Sequence, residues 1–319
     1  MKDFISIIQT EYLKIWKKKS NVILTILVVL LCIGFGIINH QNASSQKTWR
    51  ANAQKDLETY TKEYEELLSD KDQNSKAIVD IFSPIYEKAI ATTCYALEHN
   101  IPYNVNNALQ NIYKSTSLLN VVTIILILIA ITNFTNEYQF GTIKQLLTTS
   151  ISRRKWLLSK CMTYVTLTAI FFLLQLISCF FVGFILDGIG SSITLEYKNG
   201  TVIEVSIITS LIHQYIMHFI FATVLIFVAT YICALTKTTL PAIVATLGIW
   251  FGNTVLGNFL GDYKWYKYTP FPHIGLSNYM ENGMIKSFDK PMTQSLTIVM
   301  IYFISLTLIS FYAFQKRDV

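Results

Sequence analysis

The chain has 319 residues, 52% of them hydrophobic and 14% charged, with a net charge of +6 and a mean hydropathy of +0.41. This balance excludes a water-soluble two-domain protein and places the chain in a bilayer. Its basic residues lie in short clusters beside apolar runs and not on one face, which sets nucleic acid aside and fits an integral protein facing anionic lipid.

Residues 1–20 open the chain with Ile5, Ile8, Tyr12, Ile15 and Trp16 at helical spacing and Gln9, Thr10, Lys14 and Lys17 on other faces. That pattern predicts an amphipathic helix lying at the membrane interface. Lys17, Lys18 and Lys19 then precede an apolar run over 22–38, longer than a signal-peptide core and followed by NHQNASSQ, a poor cleavage site. An uncleaved first span over 21–39 is expected. Further apolar runs fall at 117–135, 156–186, 207–235, 240–260 and 293–314. Each reaches the roughly 20 residues needed to cross the hydrocarbon, so the expected fold is an all-α integral membrane protein with six transmembrane helices.

The short basic segments alternate correctly if both termini are cytoplasmic. Residues 40–116 then form an extracytoplasmic helical domain between the first and second spans, and 117–319 a five-span bundle. In the outer domain Leu57, Tyr60, Tyr64, Leu67 and Leu68 make one apolar stripe, and Ser83-Pro84 offers the start of a helix running towards Glu98. Cys32, Cys161, Cys179 and Cys233 lie in apolar runs and only Cys94 in a polar one, so no intramolecular disulfide is expected; no C-x-x-C spacing provides a metal site.

The cytoplasmic loop 136–155 gathers Lys144, Arg153, Arg154 and Lys155 against a single acid, Glu137, with Lys160 just beyond. Within it, residues 142–149 predict a short surface helix with Ile143, Leu146 and Leu147 on one side and Lys144 and Gln145 on the other. Later, Gly248, Gly252, Gly257 and Gly261 line one side of the fifth span; they mark either packing within the subunit or a dimer contact or pathway wall. The segment 261–292 is rich in aromatics, and Tyr263, Trp265, Tyr266 and Tyr268 suit an outer headgroup belt.

Several chemistries are missing from the sequence. No G-x-x-x-x-G-K-[ST] loop is present to cradle a nucleotide phosphate. Away from their ends the six runs hold no Asp, Glu, Lys or Arg, which disfavours internal ion coupling. His213 and His218 sit near the start of the fourth span and read as interfacial or hydrogen-bonded histidines. Glu63, Glu65 and Glu66 alternate with lysines on a solvated helix face, so no enzymatic set of acids emerges.

The order Glu137, Gly141-Thr142, Leu146-Leu147, Ser152-Arg153 and Lys160 resembles the first cytoplasmic loop of type-2 ABC exporter permeases. The stretch YALEHNIPYN is similar to one in a Gram-positive subgroup that includes bacitracin-type resistance permeases. The resemblance implies two permease subunits, a homo- or heterodimer in the bacterial cell membrane, docked on two copies of a separate ABC ATPase subunit. No cofactor is expected in this chain; ATP and magnesium belong to the partner. It further implies that Glu137 and Gly141 form the loop's bend and Thr142, Ile143, Leu146 and Leu147 belong to a coupling helix. Arg153, Arg154 and Lys155 would anchor its far end at the lipid headgroups, and 261–292 would form a re-entrant pair. Ser150 stands where the family often has proline. The implied function is export of an amphipathic cargo, a peptide antibiotic or lipid-like compound, with a sodium exporter or a non-transporting sensor as alternatives.

Overall fold

The structure, a computed structural model, describes residues 2–45, 47–69, 75–140, 153–198, 200–260, 263–273 and 294–305. In chain order the elements are α1 (Lys2–Lys17), α2 (Lys19–Gln41), α3 (Trp49–Ser69), α4 (Ser75–Glu98), α5 (Ala108–Lys114), α6 (Leu118–Gln139), α7 (Arg153–Asp187), β1 (Ile193–Lys198), β2 (Thr201–Ser206), α8 (Ile207–Thr236) and α9 (Thr239–Leu260), then α10 (Gln294–Ser305). Among the described residues, four helical stretches are long and apolar enough to cross a membrane: Lys19–Gln41, Ala108–Glu137, Lys155–Asp187 and Ile207–Thr236. The apolar helices Thr239–Gly252 and Gln294–Ser305 are shorter.

Helix α6 is the centre of the bundle. Its apolar window is 72% buried, against 22% for α2, so α6 is packed on most sides while α2 turns most of its surface outwards. Leu119, Leu126, Ile127, Ile131 and Phe134 of α6 join Leu225, Ile226 and Ala229 of α8 and Leu167 and Phe171 of α7 in one core. Lipid is as apolar as leucine, so such helices are held by close packing and by small residues that admit it. Gly36 of α2 is one such residue: a Cβ there would come within 2.3 Å of Val182 Cγ1 on α7. Gly183 is another, with Asn111 Cβ at 2.7 Å and the Ala108 backbone at 3.0 Å from a Cβ placed on it.

At the end of the bundle away from α1, α5 is wedged among the spans and not grouped with α3 and α4. Asn107 caps it, its Oδ1 accepting from the backbone N–H groups of Leu109 (2.9 Å) and Gln110 (3.0 Å). The Asn107 amide also donates to the Ser191 carbonyl at 3.1 Å. Beside it, Asp187 at the end of α7 contacts His40 at 2.6 Å and accepts from Asn106 at 2.7 Å. One short helix therefore ties the far ends of α2 and α7 together.

Two features depart from the sequence reading. First, the chain is not all-α: β1 and β2 pair antiparallel with Ile193 opposite Ser206 and Lys198 opposite Thr201. Thr194, Thr201, Val202, Ile203 and Val205 around Asn199-Gly200 carry the hairpin signal, and Gly200 supplies the positive φ of 81° that the tight turn uses. Second, α4 starts at Ser75, eight residues before the predicted start at Ser83, and carries Pro84 inside it. A proline removes one backbone N–H donor, and contacts with α3 hold the helix there: Tyr64 stacks on Tyr86 at 6.0 Å and donates to Glu87 at 3.0 Å.

Candidate functional site

Four charged side chains close a ring where α1 meets the bundle. Lys14 Nζ lies 2.7 Å from Glu11 Oε1 and 2.8 Å from Glu137 Oε1. Lys160 Nζ lies 2.7 Å from Glu11 Oε2 and 3.1 Å from Glu137 Oε1. Charges alternate around the ring, and its two lysines balance its two glutamates. Side-chain exposure is 1% for Lys160, 2% for Glu11 and 6% for Glu137, so three of the four are out of water, while Lys14 at 39% closes the open side.

The four members come from three helices, Glu11 and Lys14 both from α1. Glu11 shares the helical face of Ile8, Tyr12 and Ile15, the face α1 turns towards α7; Tyr12 donates to Thr166 of α7 on the same side. Glu137 stands in the last turns of α6, and Lys160 lies two turns into α7. The Lys160 ammonium also lies over the rings of Trp156 (5.1 Å) and Phe134 (5.7 Å), whose negative faces replace part of its lost hydration. One layer deeper, Tyr164 donates to the Ala130 carbonyl at 3.2 Å and receives the Asn133 amide at 3.4 Å.

Electrostatics on α1, outside the spans, favour the charged forms of Glu11 and Lys14. Burial alone would raise the Glu11 carboxyl, but Lys160 and Lys14 outweigh it and hold Glu11 below the usual carboxylate range. Burial alone would lower the Lys14 ammonium, yet Glu11 and Glu137 hold it above its ordinary value. Removing one member of such a set strands a buried charge, which costs about 3–5 kcal/mol, so the four act as one joint. The joint continues into the first span, because the Asn21 amide donates to the Ile15 carbonyl at 2.9 Å across the turn from α1 to α2.

No bond-making chemistry follows from this arrangement; its capacity is mechanical. It fixes an amphipathic helix to the two helix ends that flank residues 140–152. Glu137 is thus corrected from a residue at a bend to one inside α6, held by two lysines. Arg153 and Arg154 open α7, and Lys155 is exposed in its first turn. Gly141, Thr142, Ile143, Leu146 and Leu147 lie outside the described residues, as do Gly261 and most of 261–292. Of that segment, His273 is buried and contacts Ser295 Oγ of α10 at 2.8 Å and the Lys267 carbonyl at 2.8 Å.

Gly248 and Gly252 of α9 do not mark a close approach within the described part of the chain. A Cβ on Gly248 would meet nothing within 4 Å, and one on Gly252 only Leu256 of its own helix at 3.9 Å. Gly257 lies in α9. His218 is buried with Nδ1 2.9 Å from the Gln214 carbonyl one turn earlier, a contact within its own helix. Glu11 is the residue that sequence reasoning missed. Its signal was present, an acid on the apolar stripe of α1, where an unpaired charge would be costly.

Residues 77–319 match a family described as "Protein of unknown function (DUF2705)". The chain belongs to this family. The DUF2705 match takes in Glu137 and Lys160 and begins after Glu11 and Lys14, so half of the ring lies outside it. Over its whole length the chain is also similar to the uncharacterized protein YhcI of Bacillus subtilis (strain 168), 28% identical over 324 residues that cover 99% of each chain.

Proposed function

We propose that the chain is the membrane-spanning permease subunit of an ATP-driven exporter of the type-2 ABC class. It would sit in the bacterial cell membrane with both termini cytoplasmic, α9 and α10 completing six spans and the α3–α4 region outside. The observation that supports this reading best is the buried ring joining α1, α6 and α7. A subunit driven from the cytoplasm needs its surface elements fixed rigidly to its spans, or a push on them would be lost in local movement. The segment between α6 and α7, with the basic residues Arg153, Arg154 and Lys155 at its far end, is the element a partner ATPase would press, and the ring is how that push would reach the first, second and third spans together.

Cargo in this reading is an amphipathic molecule already held in the membrane, because the spans offer apolar and hydroxyl-bearing side chains. A sodium path would need converging oxygens. Thr123 and Thr132, two of the available hydroxyls, instead donate to their own helices at Leu119 (2.7 Å) and Leu128 (2.8 Å).

The test is reconstitution of the chain with an ATP-binding-cassette subunit encoded beside it. The complex should hydrolyse ATP while the chain alone does not, and Lys160→Met should retain hydrolysis but lose cargo-stimulated turnover with a membrane-active peptide panel. ATP hydrolysis by the chain alone would overturn the reading. So would failure to bind any cassette subunit, which would favour a sensor, and ATP-dependent sodium efflux without peptide export would replace the cargo.

A further inference from the structure

Helices α5 and α6 belong to one apolar stretch, Ala108–Glu137, yet a 3₁₀ turn at Ser115–Ser117 parts them. At Ser115 the backbone leaves helical geometry, with φ −80° and ψ 0°. Two hydroxyls of the turn bond backwards, Ser115 Oγ to the Asn111 carbonyl at 2.5 Å and Thr116 Oγ1 to the Tyr113 carbonyl at 2.8 Å. Back-bonding of this kind and a 3₁₀ turn inside a helix loosen it locally and mark hinges. The two sides of the turn are also held differently. Leu119, Leu126, Ile127 and Ile131 anchor α6 in the core, whereas α5 buries only Ile112 among its large apolar side chains, with Leu109 and Tyr113 partly covered.

What α5 turns inwards is polar. Asn107, Asn111 and Ser115 fall four residues apart and so share one helical face, and all three are buried. They rest on glycines: a Cβ on Gly183 would meet Asn111 Cβ at 2.7 Å, and one on Gly190 would meet Asn107 Cβ at 2.9 Å. Hydrogen bonds hold the seat. The Asn111 amide donates to the Cys179 carbonyl of α7 at 2.8 Å, and Asn39 of α2 donates to Asn111 Oδ1 at 2.9 Å. Gln175 of α7 donates to the Ser115 carbonyl at 3.1 Å and accepts from Tyr215 of α8. At the rim, the Ala108 N–H donates to the Gly188 carbonyl at 3.0 Å. Water can replace such bonds when this end opens to it, but it cannot replace the apolar contacts around α6.

We propose that α5 is a hinged lid over this end of the bundle. It turns on Ser115–Ser117 and, lifted off its glycine seat, bares Gln175, Asn39 and the Cys179 carbonyl as hydrogen-bonding groups between α2 and α7. Helix α6 stays in place, because its other end is held through Glu137 in the charge ring. Asn106, donating to Asp187 at 2.7 Å beside His40, clips the leading edge of the lid to the rim. In the proposed exporter this end is the external mouth, and the bared groups would meet the amides or hydroxyls of an amphipathic cargo as it leaves. That role rests on the exporter reading; the hinge does not.

The experiment uses the full chain in lipid nanodiscs, with neither ATPase nor cargo, and follows hydrogen exchange residue by residue. A seven-residue helix off its seat does not persist in water, so lifting shows as exchange. The amides of Ala108–Lys114 should share one opening constant, about tenfold or more above that of Ile125–Ile131, with the step at Ser115–Ser117. Asn111→Ala, and the milder Asn107→Ala at the rim, should each raise it about threefold to tenfold and leave α6 unchanged. Replacing Ser115 and Thr116 together by Ala should lower it towards the value of α6. Protection that falls gradually from Lys114 to Ala108 is end fraying and overturns the lid; so does protection equal to that of α6, or α6 loosening in step with α5. Unchanged opening in the double-alanine variant overturns the hinge. Lifting as expected in a chain that binds no cassette subunit keeps the lid and removes only its role in export.

Discussion

Glu11 and Lys160 stand 149 positions apart in sequence and 2.7 Å apart in space, both almost fully withdrawn from water. Each would be untenable alone. Their pairing makes the docking of α1 on α7 depend on the spans being assembled, and makes the spans sense where α1 is.

Replacing Lys160 by Met should therefore free α1 more than it harms the bundle. Glu11 and Glu137 would share Lys14 alone, at a cost of about 3–5 kcal/mol. Hydrogen exchange over Lys2–Lys17 should rise strongly while protection in α6 and α8 persists. Replacing Glu11 and Glu137 by Leu in the same protein should restore much of the protection, since a buried ion set can be exchanged for apolar groups with little loss. Unchanged exchange in the single variant would show that the ring does not hold the helix.

The same contact has a defined response to acid. The Glu11 carboxyl in the folded protein lies below its ordinary value of 4.5, so its contribution is complete above that pH and is lost as pH falls through the lower, folded value. Lys14, raised above 10.5, contributes below that pH and loses its contribution as pH rises through its folded value. Docking of α1, read by exchange or by a spin-label distance between α1 and α7, should be flat around neutrality and loosen only in strong acid or strong base. Loosening centred near pH 6 would place another group in control.

Glycine substitutions should separate real helix contacts from open faces. Gly36→Ala puts a methyl group within 2.3 Å of Val182 Cγ1, an overpacking worth about 1–3 kcal/mol, and Gly183→Ala should behave alike. Gly248→Ala meets nothing within 4 Å and should leave the thermal midpoint of the detergent-solubilised protein unchanged. A loss at Gly248 equal to that at Gly36 would point to a second copy packed there.

Sidedness is open to a direct measurement. In a cysteine-free background, Glu98→Cys at the end of α4 should react with an impermeant maleimide on intact cells, and Gln139→Cys at the end of α6 only after lysis; both positions are exposed. The reverse pattern would invert the proposed topology.

Much of the architecture was legible because a bilayer imposes simple rules. Apolar runs must be helices, since hydrocarbon offers no partners for free backbone groups, and the first four spans follow from run length alone. The amphipathic α1 was legible for the same kind of reason, one helical period. The hairpin was legible in principle from Asn199-Gly200 between β-branched residues, but its strands are only six residues long and lie beside far stronger helical signals. The start of α4 was misjudged because Ser83-Pro84 is a good local opening that contacts with α3 overrule.

Local composition and spacing were enough for the apolar, membrane-type character of the chain and for the four long apolar helices. Which side chains meet was decided only by the tertiary structure. Glu11 reads locally as one polar residue on an interfacial helix, and Lys160 as one more cation in a basic cluster. Pairing is a property of distance in space, and neither period nor composition encodes which faces of α1, α2, α6 and α7 the packing brings together.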